Sequence, residues 1–148
     1  MIPVQDLCVG NWVYDGERTQ FPMQVVAIGT DYVYLDFEGN EGDLWESHPD
    51  DVEGIPLTTE LLEKIGFKLN PYEGTGRNVY TKRIKLEVAR EIFIGVCIDC
   101  GSISITDLVQ ISKVLSKRSV HSTIAQYFLH ELQNFVFITT KQELKINL

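Results

Sequence analysis

Two short stretches combine residue types and spacings that could do chemistry. The first is His130-Glu131-Leu132-Gln133-Asn134. It is one residue away from His-Glu-x-x-His, where two imidazoles one helical turn apart hold a zinc ion and the glutamate acts on the bound water. Here Asn134 stands at the second ligand position, and asparagine is a poor zinc ligand, so half the metal site is missing. On a helix, Phe128, Leu132, Phe135 and Val136 would form one apolar stripe widened by Leu129. His130, Glu131, Gln133 and Asn134 would fall on or near the opposite, wet side, with His130 and Asn134 within reach of each other at i and i+4. The preferred reading is a closing helix over a sheet. Gln133 and Asn134 would then bond exposed backbone at a sheet edge or loop, a use that needs no substrate.

The second stretch is Cys97-Ile98-Asp99-Cys100-Gly101, which begins as a zinc knuckle begins. A tetrahedral site needs two more ligands, and Cys8, His48, His121 and His130 offer no paired spacing. On a continuous strand the odd offset would point Cys97 and Cys100 to opposite faces. A redox pair should open a helix, whereas Gly-Ser and a further apolar alternation follow. Two small buried or edge thiols are the expectation, with Cys97 and Cys100 kept as the low-ranking metal candidates. The segment from Asp36 to Ser47 resembles a calcium loop only superficially, because Glu41 stands where glycine is needed and Ser47 where the closing glutamate is needed. Gly74-Thr75-Gly76-Arg77 lacks the lysine and spacing of a phosphate loop, and no Gly-x-Ser-x-Gly occurs. No catalytic residue and no cofactor is implied.

Charge is polarised along the chain. Residues 1–63 hold 14 acids against one base, Arg18, and residues 64–148 hold 7 acids against 12 bases, within a net charge of −8. A solvated face is the plain reading of the acidic half; the sharper one is a docking surface for a basic protein partner. Asp36, Glu38, Glu41, Asp43 and Glu46 are its candidates, with His130 and Asn134 as further interaction residues. The basic clusters at 81–85 and 116–119 are small, and the acidic whole disfavours phosphate binding, so nucleic acid is a weak alternative. Nothing is apolar enough over sufficient length to span a bilayer. The opening residues make a poor signal peptide, and three cysteines are too few for a disulfide scaffold, so a reduced, cytoplasmic setting is expected. Self-association is left open.

The elements that must position these residues follow from periodicity. Residues 9–16, 24–29, 32–37, 43–47 and 53–57 are short extended pieces separated by turn signals. They suggest a small SH3-like β-barrel or curved sheet over residues 1–57. Residues 58–68 read as a linking helix, capped by Thr58 or Thr59 and stopped at Gly66. Alternation over 80–88 and the apolar run 92–98 predict strands. Residues 107–115 fit helix or strand, with strand preferred, and 120–126 are expected to enter the last helix. The fold class is α+β, with residues 69–148 forming an antiparallel sheet covered by the C-terminal helix, the whole a single compact unit.

Three segments, Leu7–Gly16, Val52–Lys68 and Phe128–Ile146, resemble a family of small uncharacterised proteins of gut bacteria and their prophages or mobile elements. The shared pattern is a Gly-Asn-hydrophobic-Val opening, an Ile-Pro-Leu-Thr step into a short helix ending Gly-Phe, and a His-x-Leu-Gln-Asn helix with an aromatic three residues on. The resemblance covers about half the chain and leaves out residues 71–126. Family members commonly have Gln at the position of Glu131, which speaks against catalysis there, and a Thr-Gly step where this chain has Thr140-Lys141. It implies the architecture and a mobile-element setting, with no reaction attached. Two classes therefore remain: an interaction or accessory protein, and a metal-binding protein or enzyme built on Cys97, Cys100 and nearby histidines.

Overall fold

Branched and aromatic residues at every second position drive the first part of the chain into strands. In the computed structural model these are β1 (Trp12–Asp15), β2 (Met23–Ile28), β3 (Val33–Asp36), β4 (Trp45–Ser47) and β5 (Val52–Gly54). The residues described are 1–16, 21–37, 42–71, 78–87, 90–98, 102–111, 114–123 and 128–148. Val13, Met23, Val25, Val33, Leu35 and Val52 point to one face and are buried, and Ile2 and Leu7 join them from the N-terminal segment. The spatial order is β4-β3-β2-β1-β5, all antiparallel, so the last strand returns beside the first. The sheet is open, with β4 and β5 as its edges.

It is also strongly bent. A register shift at Val26 adds a bulge to β2, which increases local twist. Asp15 on β1 is buried, and it accepts from Ser47 Oγ at 2.6 Å and Trp45 Nε1 at 3.1 Å, both on β4, three strands away. That reach across one face requires the sheet to curl around its own core. It also satisfies a carboxylate that would be costly to bury alone.

The chain divides into two units: residues 1–56 with 128–144, and residues 57–127 with 145–148. In the second unit a short helix, α1 (Thr59–Lys64), is capped by Thr58, whose Oγ1 accepts from Leu61 N at 3.1 Å. It ends where Gly66 takes φ +93°, a conformation that disfavours a side chain. Strands β6 (Lys68–Pro71), β7 (Asn78–Glu87), β8 (Arg90–Cys97), β9 (Ser102–Ile111) and β10 (Val114–Thr123) follow as an antiparallel meander in sequence order. The ambiguous segment 107–115 is strand on both sides of residues 112–113. Its helix-like spacing loses to a hairpin ladder running from Val114↔Ile111 to Thr123↔Ser102.

Two placements differ from expectation. Residues 120–123 finish β10, and the last helix, α2 (Leu129–Thr140), starts only at Leu129. That helix belongs to the first unit, where the second sheet had been expected beneath it. Leu129 N donates to Ile55 O at 2.8 Å, and Pro56 and Phe128 form an isolated bridge. A Cβ built on Gly54 would lie 2.5 Å from the Phe128 ring, so the glycine opposite Val13 makes room for this junction. No described helix is long and apolar enough to cross a membrane.

Candidate functional site

The pentad 130–134 is not the wet side of its helix. Leu129, Leu132 and Val136 are fully buried as expected, but His130 and Gln133 are buried too, and Asn134 is half-buried. Phe137 and Ile138 are instead exposed. The reversal has a specific cause: the polar side of α2 packs on the loop entering β1. Gln133 Oε1 accepts from Trp12 N at 2.9 Å, and Gln133 Nε2 donates to Gly10 O at 3.0 Å. One side-chain amide thus serves an N–H and a C=O two residues apart, as a neighbouring strand would. Asn134 Nδ2 donates to Asp6 O at 2.8 Å, and Asn134 Oδ1 accepts from the buried Asn11 Nδ2 at 2.9 Å. Asn11 in turn accepts from Cys8 N at 2.8 Å. Glu131 Oε2 accepts from Phe128 N at 3.0 Å, which caps its own helix. Each of these three polar residues is committed to backbone or to the lock itself.

His130 stacks on Phe128, with ring centroids 5.8 Å apart, and its buried Nδ1 has no hydrogen-bond partner among the described residues. Burial holds its pKa below the ordinary 6.5, while the charges of Glu131 and Asp6 pull the other way. Among the described residues no cluster of three or more His, Cys, Asp or Glu could hold a metal. Cys97 is buried at the end of β8 and its sulfur is in a disulfide, so the expectation of a thiol there is corrected. The parity argument assumed a strand running through both cysteines, and β8 stops at Cys97. Cys100 lies outside the described residues; Cys8 is exposed and is a thiol.

The basic cluster 81–85 is largely spoken for. Lys82 Nζ donates to Ile65 O at 2.6 Å and lies 6.0 Å from the Phe67 ring centroid, which caps the end of α1. Its partial burial lowers its pKa. Arg83 bonds Glu91 and lies over Phe93 at 5.9 Å. That hydrogen bond lowers the Glu91 pKa, with a smaller contribution from Lys85, its partner in register. The side chains of the 116–119 cluster lie outside the description.

What the first unit does present is the outward face of its sheet. Trp12, Tyr14, Gln24 and Tyr34 are half-buried there, and Asp36, Glu46 and Glu53 are exposed. Tyr14 stands directly opposite Glu53, and Tyr34 directly opposite Glu46. Trp12 faces Gln24, which faces Asp36. Directly opposed residues have Cβ atoms about 4.5–5.5 Å apart, so each tyrosine lies alongside a carboxylate. Strands β1 to β5 contain no Lys or Arg, and neither Glu46 nor Glu53 forms an ion pair among the described residues. Asp36 is already engaged within the chain. Of the other acidic candidates, Asp43 is exposed just before β4, and Glu38 and Glu41 lie outside the described residues. An aromatic face and a carboxylate both attract a cation, so the pairs are suited to basic side chains. The sequence reading missed Tyr14, Tyr34 and Glu53. The strict alternation in Trp12-Val13-Tyr14-Asp15 and Tyr32-Val33-Tyr34-Leu35 was the signal that could have placed both tyrosines on one face.

Compared with known proteins, the chain matches no family model, no curated protein and no solved structure.

Proposed function

We propose that the protein is a non-catalytic interaction module that docks a basic segment of a protein partner on its acidic first unit, as an accessory protein of a prophage or mobile element. The observation that carries this reading is the pairing in register of Tyr14 with Glu53 and Tyr34 with Glu46, on strands that carry no base. The polar residues that first suggested catalysis support it from the other side: Glu131, Gln133 and Asn134 are used up in holding the fold. Nucleic acid is the poorer partner, because Lys82 and Arg83 are engaged within the second unit and the first is rich in acids.

The test is fluorescence anisotropy of labelled peptides with the full chain at low and high salt. A basic peptide should bind at low ionic strength and weaken as salt rises, because exposed charges are screened over about 10 Å at 0.1 M. An acidic peptide of equal length should not bind. A chain that binds neither peptide at low salt is not the module proposed.

A further inference from the structure

We infer that the outward face of the first sheet selects arginine over lysine, through two subsites formed by Tyr14 with Glu53 and Tyr34 with Glu46. This rests on the docking reading above and names the side chain that the face recognises. Each subsite joins two groups a guanidinium can use at once and an ammonium cannot. The guanidinium is planar and weakly hydrated, so it can lie flat on a phenol ring while its N–H fork points at a neighbouring carboxylate. An ammonium is a compact, strongly hydrated charge that gains from the carboxylate but gives up water to meet the ring.

The register sets this geometry. Tyr14↔Glu53 and Tyr34↔Glu46 are direct cross-strand pairs, so in each the ring is flanked by its carboxylate on the same face. The tyrosines are half-buried, which fixes the rings against the sheet, whereas the glutamates are exposed and can swing to meet a ligand. Gly29 helps define the second subsite: a Cβ there would lie 3.4 Å from the Tyr34 ring, so the hairpin backbone backs one side of it. Charge complementarity runs the same way, since residues 1–63 hold 14 acids against one base. The subsites lie two strands apart and several residues apart along β2, a separation of about 15–20 Å, which about five residues of extended chain would span. The occupant is therefore an extended segment with two arginines about five residues apart.

Two peptides of equal length and charge, one with two arginines at that spacing and one with two lysines, are titrated against the wild-type chain, Tyr34→Leu and Glu46→Gln. The arginine peptide should bind wild type about 5- to 10-fold tighter than the lysine peptide. Tyr34→Leu should reduce that preference to about 2- to 3-fold, the share left to the Tyr14 subsite, and Glu46→Gln, an exposed change that leaves the core alone, should weaken both peptides. Tryptophan fluorescence checks that each variant is folded. Equal binding of the two peptides by wild type would overturn the arginine inference and leave the docking reading standing. A preference that survives intact in both variants would also overturn it, because the discrimination would then lie elsewhere. No binding of either peptide at low salt would sink both readings together.

Discussion

Gln133→Ala tests the lock between α2 and the entrance to β1. The substitution removes a buried amide that serves two backbone groups, Trp12 N at 2.9 Å and Gly10 O at 3.0 Å. Each group left without a partner costs about 1–3 kcal/mol when buried. Both bonds are only part-buried, so about 1–2 kcal/mol each is appropriate, or about 2–4 kcal/mol in all. With a urea m-value of about 2 kcal/mol/M, a loss near 3 kcal/mol lowers the unfolding midpoint by about 1.5 M. Both tryptophans, Trp12 and Trp45, lie in the first unit, so their fluorescence reports its unfolding directly. Leu132→Ala is the apolar control, at about 2–5 kcal/mol for a fully buried leucine. Glu131→Gln keeps an oxygen for Phe128 N and should stay within about 0.5 kcal/mol. Asn134→Ala should fall between, since its bond to Asp6 O is exposed while that to Asn11 is not. Gln133→Glu still accepts from Trp12 N but at neutral pH sets a carboxylate against Gly10 O, so it should be no milder than alanine. A Gln133→Ala midpoint within about 0.3 M of wild type would refute the reasoning, because the bonds would then contribute nothing net.

Three further outcomes follow from the same unit. Gly54→Ala drives a methyl into the Phe128 ring, 2.5 Å from the ideal Cβ, and should cost about 1–3 kcal/mol by urea unfolding; a silent variant would show the junction to be loose. Lys141 holds φ +59° at the end of α2, so Lys141→Gly should raise stability by about 0.5–1 kcal/mol; a loss would mean its side chain contributes more than the strain costs. His130 is held below its ordinary pKa of 6.5, so on acidification the unfolded chain takes up the proton first. Its effect is absent well above pH 6.5, and it lowers stability as pH falls from 6.5 toward the folded value. The urea midpoint should therefore drop less between pH about 7.5 and about 5.5 in His130→Phe than in wild type; equal drops would remove His130 as the cause.

What was legible in the sequence was whatever depends on neighbours along the chain. Short β-branched and aromatic runs between turn signals marked the strands of the first sheet, the Thr58 cap and the Gly66 stop marked α1, and the fold class followed. What was not legible depended on partners far away in sequence. The amides of Gln133 and Asn134 bond residues more than 120 positions earlier, and no periodicity encodes that. A helical wheel therefore assigned them to water and gave the helix to the nearer sheet. Asp15 was passed over for the same reason, since only the curl of the sheet brings Ser47 and Trp45 to it. The tyrosine–glutamate pairs needed strand register, which the hairpin signals did not supply.

The misplacement of Gln133 and Asn134 has one physical origin. The first unit is built from two separated stretches, residues 1–56 and 128–144, with the second sheet between them in sequence. Bringing such stretches together costs loop-closure entropy before any contact rewards it. Apolar burial by Leu129, Leu132 and Val136 offsets that cost, but burial is non-directional and sets no register. The amide of Gln133 supplies the register, because its donor and acceptor fit only an N–H and C=O spaced as Trp12 and Gly10 are. Asn134, bonded to Asp6 O and Asn11, fixes a second point on the same loop, and two fixed points prevent the helix from sliding. A helix so fixed holds Phe128 on Gly54 and, through Trp12 N, the leading end of β1. Two residues along that strand is Tyr14, so the near-motif at 130–134 keeps in place the first strand of the face proposed for docking.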